Sequence, residues 1–176
     1  YCKEHRESIQ AYLVEHSLIM LSLWLAPDDS SNVFEDLRDL ISRLAGEYGG
    51  PSFLPHVTLL GLLPGDEDAV LDKVRSLASR ISPYEVHLTE IKYLPEYYRS
   101  LFIEVEQTDN VMIAAADARK EFHIEDVSPY YPHLSLMYGD FPAELKEQIL
   151  QELTKEKQFD NVRYTVNNIE VWRTSG

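Results

Sequence analysis

An eight-residue pattern that occurs twice in this chain restricts its fold more than any other feature. Residues 53–60 read aromatic, any residue, Pro, His, apolar, hydroxyl, Leu and apolar, and residues 130–137 repeat that order. The copies lie 77 positions apart (133 − 56), so that His56 corresponds to His133. The repetition predicts two similar halves that each present one histidine and one hydroxyl. Two such half-sites facing each other would form one acid–base pair.

The hydrophobic pattern around these motifs divides the chain into two halves with the same order of elements. Residues 18–92 and 99–172 each predict a strand, a helix, a histidine-bearing strand, a helix and a strand. No low-complexity segment separates the halves, so we expect residues 18–176 to form one domain with two lobes. Apolar residues at helical spacing predict an N-terminal helical extension over residues 1–17.

Several of the predicted elements have readable ends. Capping residues predict where the helices begin, at Asn32, Asp66, Thr108 or Asp109, and Pro142. Alternating or apolar runs predict the strands that accompany the two histidine strands, near residues 19–25, 84–92, 101–105, 162–166 and 169–172.

The charge and the cysteine content exclude several classes of protein. The 30 acidic and 16 basic residues give a net charge of −14, which disfavours an extended nucleic-acid surface and favours a small ligand, because polyanion binding needs clustered Lys and Arg. The single cysteine, Cys2, allows no internal disulfide and favours a reducing compartment, the cytoplasm. The longest apolar run, residues 18–26, is far shorter than the roughly 18 residues of a membrane helix, so we expect no membrane partner.

The spacing of histidine and hydroxyl suits phosphoryl chemistry. In a strand, residues i and i+2 point to the same face, so His56 with Thr58 projects to one face, as does His133 with Ser135. A hydroxyl can donate a hydrogen bond to a phosphate oxygen while the neighbouring imidazole transfers a proton. With an ordinary pKa of about 6.5, one histidine can be protonated and the other neutral near physiological pH. The pair predicts acid–base catalysis that requires no metal.

Other chemical sites have weaker support in the sequence. His87-Leu88-Thr89 also fits the bare pattern, but it lacks the preceding proline and a counterpart in the other half, so we interpret His87 as an ordinary strand histidine. His5, His16 and His123 are expected at the surface. The sequence has no H-x-x-x-H, H-E-x-x-H or C-x-x-C spacing, no G-x-S-x-G motif and no glycine-rich phosphate loop. We therefore expect no metal and no cofactor.

Three segments resemble the two-histidine (2H) phosphoesterase superfamily, and within it the plant and fungal cyclic phosphodiesterases. They are Ser22 to Trp24 with Pro27-Asp28, Gly50 to Thr58, and Pro129 to Tyr138. The resemblance runs from about Ile19 to about Thr174. It implies an α+β fold of two pseudo-symmetric lobes, each an antiparallel sheet with helices packed outside, and an active-site cleft between the lobes.

The resemblance also implies an activity, the hydrolysis of a cyclic phosphate to a monophosphate. ADP-ribose 1'',2''-cyclic phosphate from tRNA splicing and nucleoside 2',3'-cyclic phosphates are substrates of this kind. By resemblance, His133 activates water and His56 protonates the leaving ribose oxygen, although the residues alone do not separate acid from base. Thr58 and Ser135 bind phosphate oxygens. Tyr138 matches a further phosphate contact if the strand ends or twists before it; otherwise it is a core tyrosine.

Two other functions stay open at the level of sequence. One is an RNA-end or 2',5'-phosphodiesterase of the same superfamily, which the acidity of the chain disfavours. The other is a nucleotide-binding module without catalysis, which the intact histidines disfavour. The loop 93–98 either stacks on a nucleobase or packs at a turn. Lys92, Arg99 and Arg173 are by default solvated surface residues, and the alternative is that they offset phosphate charge.

Overall fold

The computed structural model describes residues 20–125, 128–159 and 161–174. The helical extension predicted over residues 1–17 lies outside these ranges. The described residues form seven strands and four helices: β1 (Met20–Leu25), α1 (Asn32–Tyr48), β2 (Val57–Pro64), α2 (Glu67–Ala78), β3 (Tyr84–Lys92), β4 (Leu101–Val105), α3 (Asp109–Glu121), β5 (His133–Met137), α4 (Ala143–Glu156), β6 (Arg163–Val166) and β7 (Glu170–Thr174). No helix within these ranges is long and apolar enough to span a membrane.

The helices begin close to the predicted capping residues. Asp66 and Thr108 each accept a hydrogen bond from a backbone N–H in the first turn of α2 and α3, which confirms both caps. The cap predicted at Asn32 is wrong by one residue, because the hydroxyl of Ser31 accepts the N–H bond at 3.1 Å and Asn32 is already helical. Pro142 occupies the N-cap position, one residue before α4.

All seven strands belong to one antiparallel sheet in the order β6-β3-β4-β5-β2-β1-β7. The histidine strands β2 and β5 meet at a central seam, where Val57 pairs with Leu134. Strands β7, β1 and β2 form one lobe, and β5, β4, β3 and β6 form the other. Each lobe includes a strand from the other half of the sequence, because β3 pairs with β4 and β7 pairs with β1.

The helices cover one face of the sheet. Helix α1 packs against β5 and helix α3 packs against β2, so the first helix of each half lies on the histidine strand of the other half. The strand residues on this face are apolar and fully buried, among them Val57, Ile103 and Leu134. Side chains one position away point to the opposite face. The histidine and hydroxyl residues next to Val57 and Leu134 therefore lie on the face away from the helices.

Candidate active site

The seam between the lobes brings the two repeated motifs together. Extending the antiparallel register of the seam by one residue in each direction places Thr58 across from His133 and His56 across from Ser135. Residues directly across from each other have Cβ atoms about 4.5–5.5 Å apart. The four side chains predicted from the sequence thus share one face at the boundary between the lobes.

Both histidines are held through the same ring nitrogen. The Nδ1 atom of His56 lies 2.7 Å from the carbonyl oxygen of Leu54, and the Nδ1 atom of His133 lies 2.8 Å from the carbonyl oxygen of Tyr131. A carbonyl oxygen only accepts, so each Nδ1 donates its hydrogen and each neutral ring carries its lone pair on Nε2. The residues that provide these carbonyls, Leu54 and Tyr131, each precede a proline, which favours an extended backbone at the residue before it. Each motif therefore fixes one tautomer and leaves Nε2 for proton transfer.

His56 lies in an aromatic, almost fully buried position, with 6% of its surface exposed. Its ring stacks on Trp24, with centroids 3.5 Å apart and planes at 8°. Trp24 stacks in turn on Trp172 of β7 at 4.9 Å. Burial is the main cause that lowers the pKa of His56 to about 4, and the neighbouring His133 acts in the same direction. His56 is therefore neutral at physiological pH in the free protein.

His133 is less buried than His56 and lies beside charged groups. The ring of Phe102 meets it edge-on, with centroids 5.3 Å apart. Burial is again the main cause that lowers the pKa of His133. The Arg99 guanidinium lowers this pKa further, whereas the carboxylate of Glu96 raises it. The two histidines thus have the same tautomer but different surroundings.

The two hydroxyls differ in their partners. The Thr58 hydroxyl has no protein partner among the described residues, whereas the Ser135 hydroxyl donates to the carbonyl of Tyr98 at 2.9 Å. Strand β5 ends at Met137, and the hydroxyl of Tyr138 lies within hydrogen-bonding reach of Ser135. The condition under which Tyr138 can contact a phosphate, that the strand ends before it, is met. Burial raises the pKa of Tyr138, so its hydroxyl stays protonated and can donate at neutral pH.

A group of aromatic rings surrounds Tyr138 at one end of the site. Phe53 stacks on Tyr138 with centroids 4.0 Å apart, and Tyr98 meets Tyr138 edge-on at 5.3 Å. Tyr97 and Tyr98 belong to the loop 93–98 and have 44% and 65% of their surface exposed. Exposed rings next to the site leave faces on which a nucleobase can stack, which favours the ligand-facing interpretation of this loop.

Two of the three candidate cations lie on the lobe that presents His133. Lys92 lies across from Phe102 on the site face, and Arg99 acts electrostatically on His133. Arg173 does not reach the site, because it alternates with Trp172 along β7 and points to the helix-covered face. There it pairs with Glu67 of α2. Arg173 is therefore largely exposed, which agrees with the interpretation of it as a solvated residue and not as a phosphate contact.

The remaining histidines lie apart from the seam. His87 lies on β3, where its Nδ1 is 2.7 Å from Glu106, and strand β4 separates it from β5. His123 follows α3 and is exposed, as expected, whereas His5 and His16 lie outside the described residues. Within the part of the chain that the structure describes, no group of three or more His, Cys, Asp or Glu side chains can hold a metal ion.

Sequence reasoning missed the residues that make the two histidines different. Nothing in the sequence shows that the ring of Trp24 covers His56 or that Glu104 lies across from His133. A weak signal exists for both residues. Each is a large or charged residue between fully buried apolar neighbours on a central strand, and such a residue must point away from the core.

The chain has recognisable relatives in both sequence and structure. Residues 19–176 match the family described as Cyclic phosphodiesterase-like protein. A cyclic phosphodiesterase of Arabidopsis thaliana is 25% identical over 154 residues, which cover 87% of this chain and 84% of that protein. A 2',3'-cyclic-nucleotide 3'-phosphodiesterase of Phaeosphaeria nodorum is 30% identical over 137 residues, which cover 69% of this chain and 70% of that protein. The crystal structure of E. coli LigT complexed with 3'-AMP has a TM-score of 0.60 at 12% identity, over 91% of this chain and 90% of that chain. This likeness confirms the predicted α+β fold.

Proposed function

Because this chain belongs to the cyclic phosphodiesterase-like protein family and is itself a cyclic phosphodiesterase, we propose that it hydrolyses a small nucleotide cyclic phosphate through His56 and His133. The substrates we propose are nucleoside 2',3'-cyclic phosphates or ADP-ribose 1'',2''-cyclic phosphate, and the product is a monophosphate. The observation that carries the proposal is the matched pair of histidines, each held at Nδ1 with Nε2 left for proton transfer.

The proposed reaction is a displacement at phosphorus with two proton transfers. The oxygen of a water molecule bonds to phosphorus while the bond from phosphorus to one ribose oxygen breaks. One histidine accepts the proton of the water, and the other donates a proton to the ribose oxygen. By family resemblance, His133 is the base and His56 is the acid. The reaction consumes one water, and no step requires a metal ion or a cofactor.

The proposed acid must be protonated before it can donate. Burial keeps the pKa of His56 near 4 in the free protein, which disfavours the protonated form at neutral pH. A phosphate anion within about 4–6 Å of an imidazole favours its charged form and raises the pKa. The substrate therefore supplies the charge that makes His56 a competent acid. His56 is therefore protonated at neutral pH only when the substrate is bound.

Three hydroxyls are proposed to bind the non-bridging phosphate oxygens. Thr58 and Ser135 flank the histidines in the strand register, and the hydroxyl of Tyr138 lies beside that of Ser135. Thr58 can donate directly, whereas Ser135 has one hydrogen and must release the Tyr98 carbonyl before it donates to the phosphate. The position of these donors between the lobes supports the proposal of a phosphate held at the seam.

Steady-state kinetics with adenosine 2',3'-cyclic phosphate in excess chelator tests the proposal. We expect His56→Ala and His133→Ala each to lower kcat/KM on the order of 10² to 10⁴-fold, the usual contribution of general acid–base catalysis. His87→Ala is the matched control, since His87 is the third histidine followed two residues later by Ser or Thr and lies outside the seam. Full activity in either seam variant would contradict the proposal.

A further inference from the structure

Tyr131 contacts His133 through its backbone and is itself held through its side chain. Its carbonyl oxygen lies 2.8 Å from the Nδ1 atom of His133, and its hydroxyl donates to a carboxylate oxygen of Glu104 at 2.6 Å. Glu104 lies across from His133 on the neighbouring strand β4. A hydrogen-bonded path therefore runs from a central strand of the sheet through one tyrosine to the ring of the histidine.

Glu104 is an ionised acceptor that a second contact holds in place. The Lys92 ammonium lies 2.6 Å from the other carboxylate oxygen of Glu104. Lys92 is the main cause that holds the pKa of Glu104 below its usual range, and the Tyr131 hydroxyl acts in the same direction. Hydrogen bonds to an ionised acceptor are shorter and roughly twice as strong as neutral ones. The carboxylate is therefore a strong and fixed partner for the phenol.

Two further side chains pack on the ring of Tyr131. The guanidinium of Arg99 lies over this ring, 5.7 Å from its centroid, and Phe102 meets it edge-on with centroids 6.0 Å apart. Phe102 also meets the ring of His133 edge-on. Tyr131 lies before the first residue of β5, so these side-chain contacts fix its position where the strand ladder does not extend.

The equivalent positions of the first half hold side chains that cannot form this contact. Leu54 corresponds to Tyr131 in the repeated motif, and its side chain has no polar atom. Ala26 corresponds to Glu104, because the register of β1 and β2, extended by one residue, places it across from His56. The indole that stacks on His56 at 3.5 Å restrains that ring instead. Each lobe thus holds its histidine by different side chains.

We propose that Glu104 and Tyr131 form a positioning pair that holds the imidazole of His133 in the orientation needed for proton transfer. The inference rests on the proposed function and adds two residues to it. Both residues act through the Tyr131 carbonyl, which fixes the tautomer of His133 and the direction of its Nε2 atom. The loss of an interaction that matters only in the transition state lowers kcat and leaves KM unchanged. The hydroxyl of Tyr131 should therefore contribute to kcat and not to KM.

Steady-state kinetics with adenosine 2',3'-cyclic phosphate measures this contribution. Tyr131→Phe keeps the ring and removes only the hydroxyl, so we expect kcat to fall on the order of 10-fold with KM within about two-fold of the wild type. Glu104→Ala introduces the residue of the other half and should lower kcat equally. The double variant should lose no more than either single variant, because the two residues act as one unit.

Tyr164→Phe is the matched control for the loss of a tyrosine hydroxyl. Tyr164 lies on β6 of the same lobe, and its hydroxyl donates to the carbonyl of Leu25 at 3.2 Å, away from the histidine strands. We expect its kcat and KM to equal those of the wild type. A loss of kcat in Tyr164→Phe equal to that in Tyr131→Phe would overturn the positioning role, since any lost hydroxyl would then have the same effect.

The ring nitrogens of His133 provide a readout that needs no turnover. Nitrogen-15 NMR at mildly alkaline pH distinguishes the two neutral tautomers, and in the wild type we expect both seam histidines to carry their hydrogen on Nδ1. In Tyr131→Phe, His133 should become a mixture of tautomers while His56 stays unchanged. An unchanged tautomer of His133 or an unchanged kcat would overturn the proposal. Turnover of no cyclic phosphate by the wild type would contradict the proposed function instead, and the ring nitrogens would still decide whether the pair positions His133.

Discussion

His56 and His133 occupy equivalent positions in the two lobes, yet a different aromatic residue contacts each. Trp24 lies across from Thr58, and Phe102 lies across from Ser135, so these two rings are also equivalent. Trp24 stacks face to face on its histidine, whereas Phe102 meets its histidine edge-on. The repeated motif determines where the histidines lie and which tautomer they adopt. The neighbouring strand determines how far each pKa is lowered.

After the histidines themselves, the two hydroxyls are expected to give the largest loss of activity when they are removed. Thr58→Val and Ser135→Ala should each lower kcat on the order of 10²-fold, as the loss of one fixed donor does. Ser135→Ala should also raise KM, because the hydroxyl of Ser135 holds the carbonyl of Tyr98 and with it the aromatic loop. Steady-state kinetics on one cyclic nucleotide measures kcat and KM separately for both variants. An unchanged KM in Ser135→Ala would contradict the assigned role of the Tyr98 contact.

The depressed pKa of His56 makes folding depend on pH. The pKa of His56 is about 6.5 in the unfolded chain and about 4 in the folded protein, so the unfolded chain binds more protons between these values. Lowering the pH from 6.5 to 4 should therefore remove about 3 kcal/mol of the free energy of unfolding. Urea unfolding at several pH values measures the free energy of unfolding of the wild type and of His56→Gln. The difference between the two pH dependences is the contribution of His56, because the carboxylates are the same in both proteins.

Trp24 provides the control for that pH dependence. Trp24→Leu removes the stacked ring and should move the pKa of His56 from about 4 toward its ordinary value. The equivalent change on the other lobe, Phe102→Leu, should affect His56 little. Titration of the histidine ring protons by NMR measures both variants. If the pKa of His56 stayed near 4 in Trp24→Leu, the aromatic cover would not be its cause.

The smallest effect is expected from the residues that begin the two motifs, Phe53 and Tyr130. Only Tyr130 has a hydroxyl, and it donates to the carbonyl of Thr58 in the other half at 2.9 Å. Tyr130→Phe leaves this carbonyl without that partner and should cost about 1 kcal/mol in the free energy of unfolding. Phe53→Tyr is the matched control, because it adds a hydroxyl at the equivalent position of the other motif. Equal stability of wild type and Tyr130→Phe would mean that this bond does not hold the two halves together.

Much of the local structure is readable from the sequence because local patterns determine it. The strands predicted over residues 84–92 and 101–105 have those bounds in the structure, and Asp66 caps its helix as expected. The exchange of β3 and β7 between the lobes is not readable, since strand pairing depends on contacts distant in sequence. For the same reason, the stack of Trp24 on His56 is visible only in the folded protein.

The most direct test of the paired-histidine account is phosphorus NMR of a nucleoside 2',3'-cyclic phosphate incubated in excess chelator. We expect the wild type and His87→Ala to convert the cyclic phosphate to a single type of monophosphate. His56→Ala and His133→Ala should leave the cyclic signal almost unchanged over the same time. Conversion at the wild-type rate by either seam variant, or no conversion by the wild type, would contradict catalysis by the histidine pair.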